Sequence, residues 1–151
     1  NKNITVKQAI DRYIESKTAV LSPSTIYGYK KANQRYLYIL HDVKIAKLDQ
    51  ELIQRAINKL SYCYSPKTVR NAYGLLHASL QMFAPDFVYR ISLPQKIKSS
   101  FYVPDKNEIK VIYKLIKNTE LEIPFLLASQ CGLRPSEICA LTKDCALPLT
   151  D

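Results

Sequence analysis

The chain has 151 residues with 22 basic and 13 acidic side chains, a net charge of +9, and 47% hydrophobic content, which is the composition of a globular protein rather than a disordered or fibrous one. No apolar run approaches the roughly 18 residues of a membrane helix, and the first residues, NKNITVKQ, hold no secretory apolar stretch; the expectation is therefore a chain with no membrane partner, located in the cytoplasm. The charge is uneven: 16 basic against 6 acidic residues up to position 100 give +10, and 6 against 7 after it give −1. That asymmetry points the first part at a polyanion, with a merely solvated basic surface as the bland alternative.

Periodicity reads as helix from the start. TVKQAIDRYIES opens with Thr5 as an N-cap and lines up Val6, Ile10, Tyr13 and Ile14 on one face. SPSTIYGYKKANQRYLYIL begins with Ser22 as cap and Pro23 in the first turn, with Ile26, Tyr29, Tyr36, Leu37 and Leu40 facing inward. DQELIQRAINKL is capped by Asp49 and turns Leu52, Ile53, Ala56, Ile57 and Leu60 to the core. SPKTVRNAYGLLHASLQMF repeats the Ser-Pro start with Ser65 and Pro66, over an inner stripe of Val69, Ala72, Tyr73, Leu76, Leu80 and Phe83.

Past Ala84-Pro85 the pattern breaks, and SLPQKIKSSFYVP, residues 92–104, reads as a linker carrying Lys96 and Lys98. Asp105 then opens a fifth helix with Glu108 at capping-box spacing. A sixth, very apolar helix from Thr119 to Cys131 is stopped by Gly132, and Pro135 starts a short seventh that fades near Thr142. No strand pattern occurs. Cys63, Cys131, Cys139 and Cys145 form no CxxC pair and have no histidine at ligand spacing, so reduced thiols and no metal are expected.

The second and fourth helices share Ser-Pro-x-Thr followed by Ile or Val, which is either a shared function or a coincidence of capping chemistry. Their outward faces favour function. Tyr27, Lys30, Lys31, Gln34 and Arg35 lie away from the core on one, and Lys67, Arg70, Asn71, Gly74 and His77 on the other. Hydroxyl and lysine groups at the two starts (Ser22, Ser24, Thr25; Ser65, Lys67, Thr68) suit phosphate oxygens, and the longer polar side chains suit base edges. Arg134 follows the uncharged run IPFLLASQC, with Glu137 three residues on. A guanidinium at the lip of an apolar core is either paired or held for an anion.

GLRPSEICALTKD, Gly132 to Asp144, resembles the first catalytic motif of the tyrosine recombinase (phage integrase) family. AIDRYIESK, SPSTIYGYKK, SPKTVRNAYGLL and LPQKIK resemble the core-binding domain and linker of integrases from conjugative transposons and phages of Gram-positive bacteria. The resemblance implies an all-α chain: a four-helix core-binding (SAM-like) domain over 1–91, a linker over 92–104, and over 105–151 the first helices of a truncated catalytic domain. It implies a bacterial or phage-encoded enzyme that integrates or excises a mobile element through a phosphotyrosyl intermediate, with no cofactor or metal.

Arg134 would then be a phosphate-binding arginine and Glu137 its support. The implied partners are double-stranded DNA at a recombination core site and further copies of the chain, four on two DNA sites. An excisionase is an additional partner the resemblance allows. Two features depart from the motif: Lys143 replaces the usual aromatic before Asp144, and ALPLTD does not resemble the strand that normally follows. None of the eleven tyrosines matches the nucleophile, so the chain reads as a fragment that binds without cutting. A non-catalytic DNA-binding regulator and a helical protein-interaction module stay open as alternatives.

Overall fold

The computed structural model describes residues 3–86, 88–97 and 100–145, the side chain of Lys143 apart. Among them are seven α-helices and no strand, so the all-α expectation holds. Lys98 and the closing ALPLTD lie outside the described residues. The chain divides into two compact units, Asn1–Lys98 and Ser99–Asp151.

The first unit holds α1 (Val6–Ser16), α2 (Pro23–Tyr36), α3 (Gln50–Cys63) and α4 (Pro66–Phe83). Each starts where a short polar side chain can take up a free backbone N–H. Thr5 and Gln8 cap α1 reciprocally, Thr5 Oγ1 accepting from the Gln8 N–H at 3.3 Å and Gln8 Oε1 from the Thr5 N–H at 3.1 Å. Asp49 accepts the Leu52 N–H at 2.7 Å and starts α3. The inward faces form one core of Val6, Ile10, Ile14, Ile26, Leu37, Leu40, Ile53, Ile57, Leu60, Val69, Leu76 and Leu80, with Ala9, Ala72 and Leu75 also buried. Burying each large side chain contributes about 1.5–3 kcal/mol. Tyr13, Tyr29, Tyr36, Tyr73 and Phe83, expected inside, sit half-buried at its rim, as does Leu52.

Two features differ from the sequence reading. The helix expected to run to Leu40 ends at Tyr36 and gives way to a 3-10 turn over Tyr38–Leu40. The cause lies at Asn33. His41 Nε2 bonds the Asn33 carbonyl (3.2 Å), the acceptor a continuing helix would offer to Leu37, and the Leu37 N–H goes back to Ala32 instead (3.3 Å). The connection to α3 is also structured. Val6 donates to Val43 (2.9 Å) and Ile45 to Ile4 (3.0 Å) across an isolated Thr5–Lys44 bridge, which drives Ile45 and Leu48 into the core.

Asn33 is itself buried, and its amide is satisfied on both sides. Nδ2 donates to Asp11 Oδ1 at 2.8 Å, and Oδ1 lies 2.9 Å from His41 Nε2, an order that puts a proton on that ring nitrogen. Asp11 Oδ2 accepts from Lys7 Nζ at 2.7 Å. The chain of groups ties α1, α2 and the turn after α2 into one register.

Residues 88–97 run along α3 and α4 as a strap. Tyr89, Ile91 and Leu93 pack on the core. Gln54 pairs with Ser92 in both directions, accepting its N–H at 2.8 Å and donating to its carbonyl at 3.0 Å. Gln50 Oε1 accepts the Arg90 N–H at 3.2 Å, and Arg70 Nε donates to the Pro94 carbonyl at 2.9 Å.

Tyr89 donates its hydroxyl to the Leu48 carbonyl. Burial, with the Asp49 charge as the smaller cause, pushes this phenol up to about 12. The fold thus holds the neutral form. The stabilisation is complete below pH about 10, where an unfolded tyrosine ionises, and is lost as pH rises towards about 12. In a tyrosinate absorbance titration, Tyr89→Phe should remove the latest-ionising phenol; an unchanged late step would contradict this assignment.

The second unit holds α5 (Lys106–Ile116), α6 (Glu122–Cys131) and α7 (Pro135–Ala140). Asp105 and Glu108 form the expected capping box, Asp105 Oδ1 accepting the Glu108 N–H at 2.9 Å and Glu108 Oε2 the Asp105 N–H at 2.8 Å. Tyr102 donates its hydroxyl to Glu108, which holds that carboxyl below its usual range. α6 starts at Glu122 rather than Thr119. Asn118 takes a left-handed φ of 63°, and Glu122 gathers its N–H (2.7 Å) and the Tyr113 hydroxyl (2.8 Å). Gly132, at φ 69°, ends α6 as expected. No residue of α5, α6 or α7 is buried.

Candidate nucleic-acid interface

The Ser-Pro starts of α2 and α4 are built alike. Ser22 Oγ accepts the Thr25 N–H at 3.3 Å and lies 2.9 Å from Thr25 Oγ1. Ser65 Oγ accepts the Thr68 N–H at 3.3 Å and lies 3.0 Å from Thr68 Oγ1. Ser24 adds a contact to Ser22 at 3.0 Å. With proline at the first helical position, each start needs one fewer acceptor. The hydroxyls are thus first of all caps, and exposed ones at Ser22, Ser24 and Ser65.

The outward faces are as the periodicity predicts. Tyr27, Lys30, Lys31, Gln34 and Arg35 on α2 and Lys67, Asn71, Gly74 and His77 on α4 are exposed, and Arg70 is half-buried. Ion pairs among the described residues join Lys7 to Asp11, Arg55 to Glu51 and Arg134 to Glu137. The five cations Lys30, Lys31, Arg35, Lys67 and Arg70 carry no such pair. A cation left unpaired on a folded surface is open to an external anion at no cost in broken contacts.

Between α2 and α4 runs an open groove of about 570 Å³, lined by Thr25, Gly28, Tyr29 and Ala32 on one wall and by Arg70, Asn71, Gly74 and Leu75 on the other. At Gly28 and Gly74 a Cβ would meet nothing within 4 Å. Each glycine costs a helix interior about 1 kcal/mol relative to alanine, and here each leaves the helix backbone open to close approach from outside. Of the residues expected to contact DNA, the groove brings together Thr25, Arg70 and Asn71. Tyr27 and Lys30 border a second, shallower groove with Thr18, Pro23 and Ile26. His77 stacks on Tyr73, ring centroids 5.8 Å apart, which gives it an intramolecular role. Lys96 is exposed on the strap.

Residues 5–61 match the family model of the phage integrase N-terminal SAM-like domain. The matched segment of the SAM-like domain takes in α1, α2 and nearly all of α3. No curated protein and no solved structure gives a match.

The SAM-like match does not extend to the second unit, where Arg134 stands just ahead of α7. Its N–H donates to Glu137 Oε2 at 2.7 Å, and its Nη1 to Glu137 Oε1 at 3.2 Å. The Arg134 side chain is 81% exposed. The apolar run before it does not bury it, so no desolvation demands the pair. Glu137 holds the side chain by one hydrogen bond and leaves the rest of the guanidinium to solvent. The four cysteines are free and exposed, and no helix is long and apolar enough to cross a membrane among the described residues. Sequence reasoning missed Gln50 and Gln54, whose partners lie some 40 residues away; only their shared face on α3 hints at them.

Proposed function

We propose that this chain is the DNA-binding part of a site-specific tyrosine recombinase, an integrase of a mobile element, and that it holds core-site duplex DNA without cutting it. The observation that carries the reading is the set of five cations without an ion pair on α2 and α4, of which Arg70 lines a groove with two backbone openings, in a unit whose residues 5–61 match the integrase SAM-like domain. Lys and Arg supply the phosphate contacts, and Asn71, Gln34 and Arg70 have the donor and acceptor sets that read base edges. Arg134 would meet the nonbridging oxygens of the scissile phosphate through its free N–H groups while Glu137 orients it.

The test is a duplex-binding titration joined to a nicked suicide substrate. The chain should bind duplex and form no covalent adduct, since no tyrosine here matches the nucleophile. In a longer chain that cleaves, Arg134→Ala should nearly abolish cleavage and leave binding largely intact; normal cleavage by that variant would remove Arg134 from the site.

The second unit supports a partner of its own kind. Leu115, Leu121 and Ile123 are 77%, 62% and 70% exposed there, and where such side chains join into one large patch they mark a contact face. Sedimentation should show concentration-dependent self-association that is lost on truncation at about residue 104 without unfolding of α1–α4. A monomer at every concentration would remove this part of the reading.

A further inference from the structure

Arg70 has two sides. Its Nε is spent inside the protein on the Pro94 carbonyl (2.9 Å), while the residue lines the α2–α4 groove. A guanidinium has five N–H donors in one rigid plane. Anchoring one edge fixes that plane, and for the four N–H groups on Nη1 and Nη2 the described residues supply no hydrogen bond or ion pair. The anchor is in turn set from α3. Gln54 meets Ser92 through both backbone groups, as a neighbouring strand would, and so fixes the height of the strap two residues before Pro94. Gln50 at Arg90 and the packing of Leu93 hold it on either side.

We propose that Gln54 is a positioning residue for DNA recognition: through Ser92 and the Pro94 carbonyl it aims the Arg70 fork into the α2–α4 groove, towards a paired acceptor on the duplex. That acceptor is two phosphate oxygens or the O6 and N7 edge of a guanine, both of which a bidentate guanidinium fits. Ordering the side chain during folding removes that cost from binding. The proposal rests on the DNA-binding reading above and adds that the strap belongs to the recognition machinery.

The experiment is a double-mutant cycle in the full chain, with duplex affinity, unfolding midpoint and amide exchange at Ser92 as readouts. Gln54→Ala should speed exchange at Ser92 and weaken duplex binding about three- to tenfold, a fraction of what a lost bidentate contact costs. In an Arg70→Ala background the same change should have no further effect on affinity, because the group it positions is gone. Pro94→Gly, which keeps the carbonyl but frees the backbone, should behave the same way, and Arg70→Lys should bind nearly as weakly as Arg70→Ala, since an ammonium has no fork to aim. A loss on Arg70→Ala that is uniform across sequences assigns the acceptor to phosphate; one confined to guanine-containing sites assigns it to the base edge. Equal losses from Gln54→Ala in both backgrounds, or faster exchange at Ser92 with unchanged affinity, would overturn the proposal and leave the DNA-binding reading standing. No binding to any duplex would overturn both.

Discussion

Raising the salt from about 50 to about 200 mM should weaken duplex binding by this chain about a thousandfold, if its basic face neutralises about six phosphates. The estimate follows from counterion release, in which each neutralised phosphate adds nearly one to the slope of log affinity against log salt. The supply of cations is sufficient: Lys30, Lys31, Arg35, Lys67 and Arg70 on α2 and α4, with Lys96 on the strap, are all without an ion pair among the described residues. Lys31→Ala should lower the slope by about one and weaken binding evenly across sequences if it touches phosphate, or cost roughly 1–3 kcal/mol at chosen sites if it reads a base. Fluorescence anisotropy at four salt concentrations measures both. A slope near zero would mean the basic face is only solvated, and binding to acidic proteins but not to duplex would favour the protein-interaction alternative.

The second large effect is on stability, and it should separate the two units. Leu76→Ala removes a side chain fully enclosed by the α1–α4 core and should cost about 2–5 kcal/mol. That is a large share of the 5–15 kcal/mol that holds a typical domain, and it should lower the thermal midpoint of the first unit by about 10 °C or more. Leu115→Ala on α5, where the leucine is 77% exposed, should change stability by less than about 0.5 kcal/mol. Comparable losses at the two positions, read by circular dichroism and calorimetry, would contradict the core described here.

What was legible in the sequence was local. Thr5, Ser22, Asp49, Ser65 and Asp105 cap the helices they were expected to cap, because capping is settled within three or four residues. The apolar stripes also stand, apart from Leu52, Phe83 and the tyrosines Tyr13, Tyr29, Tyr36 and Tyr73, which the period placed inside and which sit at the rim; each tyrosine carries a hydroxyl that full burial would have to satisfy. What was not legible depends on distant partners. His41 ends α2 by taking a carbonyl eight residues back, and Gln54 reaches a backbone 38 residues on; neither side chain has a pattern that announces its partner. Arg134 shows the converse. The uncharged run before it suggested a buried lip, yet burial depends on what covers α6, and in this unit nothing among the described residues covers it fully.

The first helix of the core packs most extensively against the last, α1 on α4. On the ribosome, therefore, Val6, Ala9, Ile10 and Ile14 emerge long before Val69, Leu76 and Leu80 exist to cover them. At about 5–20 residues per second, synthesis of the intervening stretch leaves this apolar face waiting for several seconds. The capping box at Thr5 and the Lys7–Asp11 pair let α1 form locally in that interval, but closure is delayed until α4 has cleared the exit tunnel. Codon changes that slow translation between α3 and α4 should therefore raise aggregation more than equal changes after residue 98.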